Sequence, residues 1–140
     1  LLCLGESLGL KHLYISIFGW KELPSLPLIL SPSLETLILR GPCLALPTGF
    51  EDIFSHLHEV SLSDIECVSD VRMFVNLKKI CFHSCPNITD ITPLQAIPEI
   101  EIEFCKGIVD YRNALTHSHR ITIKSLIAST VIDVSCFKAV

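Results

Sequence analysis

One short motif could support nucleophilic catalysis. Residues 5–9 read G-E-S-L-G and match G-x-S-x-G, the pattern that exposes a nucleophilic serine, here Ser7, on a sharp turn between a strand and a helix. Asp110, followed by His117 or His119, would complete the chain order Ser, Asp, His of a hydrolase triad. The residues after the motif alternate like a strand instead of forming a helix, so a serine hydrolase fragment is only an alternative prediction.

The seven cysteines raise the question of metal or disulfide chemistry. The segment Cys81-Phe-His83-Ser-Cys85 offers three soft ligands, but it lacks a C-x-x-C pair, and strand alternation turns its last cysteine away from the other two. Cys85 and Cys105 lie 20 residues apart in similar contexts, which leaves a disulfide between them open. An odd number of cysteines is more typical of free thiols in a reducing compartment. We therefore expect no metal, no cofactor, and an intracellular, cytoplasmic location.

Composition and charge exclude several partner classes. The chain has 140 residues, of which 49% are hydrophobic and 19% charged, a composition that fits a single domain over 1–140. The net charge of −4 provides no field that would attract nucleic acid, and no apolar run approaches the ~20 residues of a membrane-spanning helix. Since the chain begins with leucine and its only methionine is Met73, we expect a fragment of a longer protein with companion domains.

A sequence repeat predicts the elements that would position these side chains. The template L-x-x-L-x-L starts six times, at intervals of 24, 23, 20, 20 and 21 residues. The apolar positions of the six copies are Leu10-Leu13-Ile15, Leu34-Leu37-Leu39, Leu57-Val60-Leu62, Leu77-Ile80-Phe82, Ile97-Ile100-Ile102 and the degenerate Ser118-Ile121-Ile123. Alternation predicts a short strand in each copy, with two apolar side chains on one face. Because one coil cannot bury its apolar edge alone, the coils must stack.

The fourth and fifth copies carry a further match after the strand. Cys85-Pro-Asn-Ile-Thr-Asp and Cys105-Lys-Gly-Ile-Val-Asp place cysteine, apolar and aspartate residues at equal offsets. This pattern resembles the cysteine-containing subtype of the leucine-rich-repeat family, over roughly residues 10 to 125. The resemblance implies an α/β solenoid of about six coils, each with one parallel strand and a return of loop or short helix. At the cysteine position the other copies hold Phe18, Pro42, Ile65 and Leu126, so we expect irregular turns there.

The returns between the predicted strands differ along the chain. Prolines in the first two returns favour loops, whereas residues 49–54 and 69–75 suit a helical turn. Residues 126–134 are apolar and alternate, which predicts a final strand.

The outward strand positions form the candidate binding surface. In an in-register parallel stack they become rows, and Glu59, Lys79, Glu99 and Arg120 then alternate in sign along one row. This ladder favours mutual neutralisation over a cation site or paired catalytic carboxylates. We expect a protein partner to contact Tyr14, Ser16, Ile38, Arg40, Glu59, Lys79, His83, Glu101, Glu103 and Lys124, with Trp20 as a possible aromatic anchor.

The leading functional prediction is a non-enzymatic protein-recognition module. The leucine-rich-repeat resemblance implies parents such as F-box substrate receptors of ubiquitin ligases and plant nucleotide-binding immune receptors. A structural solenoid segment without a partner of its own is the further alternative, besides hydrolysis through Ser7.

Overall fold

Seven strands form one sheet in chain order. The computed structural model describes residues 9–18, 33–42, 54–109, 111, 120–124 and the backbone of 132–133. The strands are β1 (His12–Ser16), β2 (Thr36–Arg40), β3 (Glu59–Ser63), β4 (Lys79–His83), β5 (Glu99–Glu103), β6 (Arg120–Lys124) and β7 (Ile132–Asp133). Neighbours in sequence are neighbours in the sheet, from β1 through β7.

The first six strands are parallel and pair in register. Each of the six template segments contributes one strand, and equivalent positions face each other, so that Val60 pairs with Ile80 and Ile80 pairs with Ile100. Backbone bonds continue the stack beyond the strands, as where the Glu35 carbonyl accepts from the amides of His58 and Glu59. The chain is therefore a solenoid built from one parallel strand per repeat, as the sequence predicts.

The core lies behind the sheet and is made by the second and fourth residue of each strand. In β2 to β6 these residues are at most 4% exposed. They are Leu37, Leu39, Val60, Leu62, Ile80, Phe82, Ile100, Ile102, Ile121 and Ile123. In β1 the equivalent Leu13 and Ile15 are only partly buried, because β1 is the first strand of the sheet.

A left-handed residue ends three of the strands. Asp64, Ser84 and Phe104 have φ of 58°, 52° and 56°, and each turns the next side chain into the core. The inward residues are Ile65, Cys85 and Cys105, all buried. The prediction of an irregular turn at Ile65 is therefore wrong, since an apolar side chain fills the same place as a cysteine.

The first two turns do differ from these three. Phe18 and Pro42 occupy the cysteine position there, and both are exposed. Leu126, the equivalent residue of the sixth copy, lies outside the described residues.

Short 3-10 turns occupy the two returns that are described in full. They span Arg72–Phe74 and Thr92–Ala96, and the first falls within the predicted helical segment 69–75. An aspartate two residues upstream stabilises each, because Asp70 accepts the amide of Arg72 at 2.9 Å and Asp90 that of Thr92 at 2.8 Å. In the described residues Phe54 alone is α-helical, and the rest of segment 49–54 lies outside them.

The returns pack against the sheet through aromatic and glycine contacts. The ring of Phe74 lies edge-on between Phe54 and Phe82, at centroid distances of 4.8 and 5.9 Å. Where the fifth coil meets the fourth, a Cβ on Gly107 would lie 2.5 Å from the carbonyl oxygens of both Pro86 and Ile88. Only glycine fits this contact without a backbone shift.

The last strand departs from the parallel order. Ile132 and Asp133 pair antiparallel with β6, where Ile123 faces Ile132. Of the strand predicted within 126–134, the structure describes Ile132–Asp133, and the direction of these residues reverses that of a repeated coil.

Candidate functional site

The outward side chains of β1 to β6 form one surface, which we call the outer face. The register arranges them in three rows, as predicted. The first row is His12, Thr36, Glu59, Lys79, Glu99 and Arg120; the middle row is Tyr14, Ile38, Ser61, Cys81, Glu101 and Thr122; the last row is Ser16, Arg40, Ser63, His83, Glu103 and Lys124. All ten predicted strand contacts therefore lie on this face.

Charges in the first row neutralise one another. Lys79 Nζ lies 3.8 Å from Glu59 Oε1 and 3.6 Å from Glu99 Oε1. On the other side of Glu99, Arg120 Nη1 approaches the same oxygen at 3.7 Å. This alternation is the one that the sequence predicts, and it leaves the row without excess charge. Such half-exposed pairs are each worth only ~0.2–1 kcal/mol, so they favour register more than stability.

The last row is also paired. Glu103 accepts a hydrogen bond from Lys124 Nζ, which raises the pKa of that lysine, and its other oxygen lies 3.9 Å from His83 Nε2. The imidazole of His83 meets the ring of Phe104 edge-on, with the centroids 5.5 Å apart. Nearer β1, Arg40 Nε lies 3.7 Å from Asp64 Oδ2.

A cation–π contact adds Phe18, which follows β1 in the chain, to the outer face. The Arg40 guanidinium carbon lies 5.7 Å from the ring centroid of Phe18, which is 55% exposed. The sequence does not predict that Arg40 contacts Phe18, because the contact depends on how the first turn bends.

The middle row changes from apolar to acidic along the sheet. Tyr14 is 57% exposed and Ile38 is half-buried. Farther along, the Cys81 thiol donates to Glu101 Oε2 at 3.5 Å. Burial and the neighbouring Glu101 carboxylate raise the pKa of Cys81 to about 12, so this thiol stays protonated and is a poor nucleophile at neutral pH.

The two thiols that follow β4 and β5 are structural. Cys85 and Cys105 are buried and free, so they form no disulfide. The Cys85 sulfur lies 3.5 Å from the carbonyl oxygens of Leu62 and His83, either of which can accept its one thiol proton, and the Cys105 thiol donates to the Glu103 carbonyl at the same distance. The hydrogen bond to Cys105 and burial raise the pKa of the Cys85 thiol. These bonds satisfy backbone groups at the bend after each strand.

Metal-ligating residues do not converge within the part of the chain that the structure describes. No group of three or more His, Cys, Asp or Glu side chains there could hold a metal ion. Cys85 points into the core while Cys81 and His83 lie on the outer face, as expected, but the cause is the left-handed turn at Ser84 and not strand alternation, which would keep all three on one face.

Several predicted residues lie outside the described residues. They include Ser7 and its proposed partners Asp110, His117 and His119, as well as the aromatic anchor Trp20. The serine hydrolase alternative therefore stays a sequence-based prediction.

Two shallow pockets lie at the edges of the coils. One of about 340 Å³ lies beside the strand-end turns, against Asp64, Ser84, Phe104 and Lys106. The other, of about 460 Å³, lies between the returns that carry Asp70 and Asp90. Sequence reasoning anticipated neither, since both depend on how successive coils stack.

Comparison with known proteins adds no assignment. No family model matches the chain, and neither the curated proteins nor the solved structures contain a match. Among the described residues, no helix combines the length and hydrophobicity that a membrane crossing requires.

Proposed function

We propose that this chain is a non-enzymatic recognition module that binds a protein partner through its outer face. The observation that carries the proposal is the apolar end of the middle row, where the aromatic ring of Tyr14 is 57% exposed next to the half-buried Ile38. Aromatic and apolar groups of this kind supply much of the energy of protein interfaces. The paired charges on either side would form a polar rim around them.

We further propose that the solenoid is of the leucine-rich-repeat type with cysteine-containing turns, and so of the α/β class. The inward Cys85 and Cys105 at equivalent turns support this type, because each bonds backbone carbonyls at the strand end. Free thiols at Cys81, Cys85 and Cys105 support a cytoplasmic location, where thiols stay reduced. A parent of the F-box ubiquitin-ligase or immune-receptor kind, which would carry companion domains, fits this proposal.

Affinity capture with matched variants tests the proposal. The tagged chain is compared with the double variant Tyr14→Ser/Ile38→Ser, which removes apolar groups from the outer face. The matched control is Val75→Ser/Val109→Ser, which removes apolar groups from the returns, where Val75 is 40% and Val109 88% exposed. Circular dichroism verifies that both variants stay folded.

We expect quantitative mass spectrometry to find a protein that the chain and the return variant retain and the outer-face variant loses. Retention by the outer-face variant, together with loss by the return variant, would place the binding surface on the opposite side of the solenoid and overturn the proposal.

A further inference from the structure

Glu101 is the exception among the charges of the outer face. The other strand carboxylates of the face each have a basic side chain within 4.0 Å. No described basic side chain lies that close to Glu101, whose nearest polar contact is the Cys81 thiol at 3.5 Å. Lys79 and Lys124 interact with this carboxylate at longer range, but each makes its close contacts with other glutamates. A negative charge is therefore left over in the middle row.

Small side chains line part of the middle row. Ser61 and Cys81 lie between Ile38 and Glu101, and longer side chains such as Lys79 flank them; we call this stretch the track. The flanking rows are four residues apart along each strand, which is ~13 Å at ~3.3 Å per residue. An α-helix of ~10–12 Å diameter would take up nearly all of that width, whereas an extended chain is narrower, so the spacing favours an extended chain.

We propose that this track binds an extended polypeptide segment that places an apolar or aromatic side chain against Tyr14 and Ile38 and a lysine or arginine against Glu101. This inference rests on the proposed recognition function and specifies its partner. Three strand spacings separate Ile38 from Glu101, or ~14 Å at ~4.8 Å per strand. In an extended segment this distance corresponds to anchors about four or five positions apart in the sequence.

The chemistry at Glu101 suits a basic side chain better than the thiol it now contacts. A thiol is a weak hydrogen-bond donor, whereas a guanidinium donates two parallel bonds to a carboxylate. Partial burial of Glu101 strengthens such a pair relative to one in open solvent. The partner's cation would therefore replace a weak contact and neutralise the charge that the face leaves over.

Selection from a phage-displayed library of random dodecapeptides tests this inference on the immobilised chain. Enriched peptides are synthesised, and their Kd values are measured by fluorescence anisotropy for the chain, Glu101→Gln and Glu99→Gln. Glu99→Gln is the matched control, because it makes the same change in the same strand but in the first row. The double variant Tyr14→Ser/Ile38→Ser locates the binding site independently of charge.

We expect the selected peptides to share a lysine or arginine four or five residues from an apolar or aromatic residue. Glu101→Gln should weaken their binding by about tenfold, the usual effect of losing a charge-assisted hydrogen bond, and Glu99→Gln by less than about twofold.

Two results would overturn the inference in different ways. In the first, the enriched peptides lack a basic residue and still lose affinity for Tyr14→Ser/Ile38→Ser. That result would refute the proposed basic side chain of the partner and leave recognition by the outer face in place. If no peptide is enriched, or if the enriched peptides are indifferent to every outer-face variant, the track is refuted, while the recognition function is decided separately by the capture experiment with Tyr14→Ser/Ile38→Ser.

Discussion

Truncating Ile80 tests the alternation on which the whole solenoid depends. Ile80 is 0% exposed and pairs with Val60 on one side and Ile100 on the other, so the cavity left by Ile80→Ala would lie in the middle of the core. Such truncations cost about 2–5 kcal/mol, against a total stability of about 5–15 kcal/mol for a domain. The neighbouring Cys81 faces outward, so Cys81→Ala should cost about 0.5 kcal/mol or less.

Urea unfolding followed by circular dichroism measures this difference. With a typical dependence of about 1–3 kcal/mol per molar urea, a loss of about 3 kcal/mol lowers the midpoint by about 1–3 M. Ile80→Val, which removes one methylene, should cost about 0.5–1.5 kcal/mol. Its unfolding midpoint can still be measured if the alanine variant is unfolded in water. Equal losses for Ile80→Ala and Cys81→Ala, or a larger loss for the cysteine, would refute the register, since a shift of one residue exchanges the two faces.

Three further predictions address the returns and the thiols. Gly107→Ala should lower the free energy of unfolding by about 1–3 kcal/mol, because its Cβ would lie 2.5 Å from two carbonyl oxygens of the preceding coil; an unchanged Tm in calorimetry would contradict that contact. The Arg72 side chain lowers the pKa of Asp70 to about 2. The ionised Asp70 carboxylate therefore stabilises the folded chain at pH values above about 4, its pKa in the unfolded chain, and this stabilisation is lost as the pH falls toward 2. Carbon NMR should place the Asp70 titration near pH 2, and Arg72→Ala should raise it. At pH 7.5 iodoacetamide should alkylate Cys81 slowly and Glu101→Gln should speed the reaction, as read by peptide mass spectrometry; the same slow rate in both would show that the carboxylate does not suppress the thiolate.

The strand register was predictable because the repeat fixes it. Each template copy places its strand at the same offset, and parallel stacking then aligns Glu59, Lys79 and Glu99 without further information. The charges alternate in sign, which is consistent with that alignment. Alternation also places Cys81 outward, whereas the inward position of Cys85 depends on the left-handed turn at Ser84.

The conformation of the turns could not be predicted in the same way. The left-handed positions hold Asp64, Ser84 and Phe104, which share no residue type, so only the structure shows that they adopt this conformation. Ile65 takes the place of cysteine and keeps the turn, so this position accepts a buried apolar side chain that makes no hydrogen bond. The hydrogen bond that Asp70 accepts from its return is not predicted either, although the spacing of 20 residues between Asp70 and Asp90 indicates it.

The sequence predicts which residues form the middle row but not all of their contacts. Tyr14 and Ile38 could be placed on one face from their spacing, but the isolation of Glu101 depends on which carboxylate each lysine contacts. Side-chain choices of this kind are set by distances of a few ångströms, which a repeat pattern does not specify.

Site-specific photo-crosslinking tests most directly whether the outer face is the binding surface. Benzoylphenylalanine is introduced at Tyr14 or at Thr122, the two ends of the middle row, and at Asn76 or at Gln95 in the exposed returns, each in a separate variant of the chain. Cells are irradiated and the adducts are compared by mass spectrometry. We expect one and the same protein to be crosslinked from both outer-face positions and from neither return. Crosslinking of that protein from the returns alone would contradict this expectation.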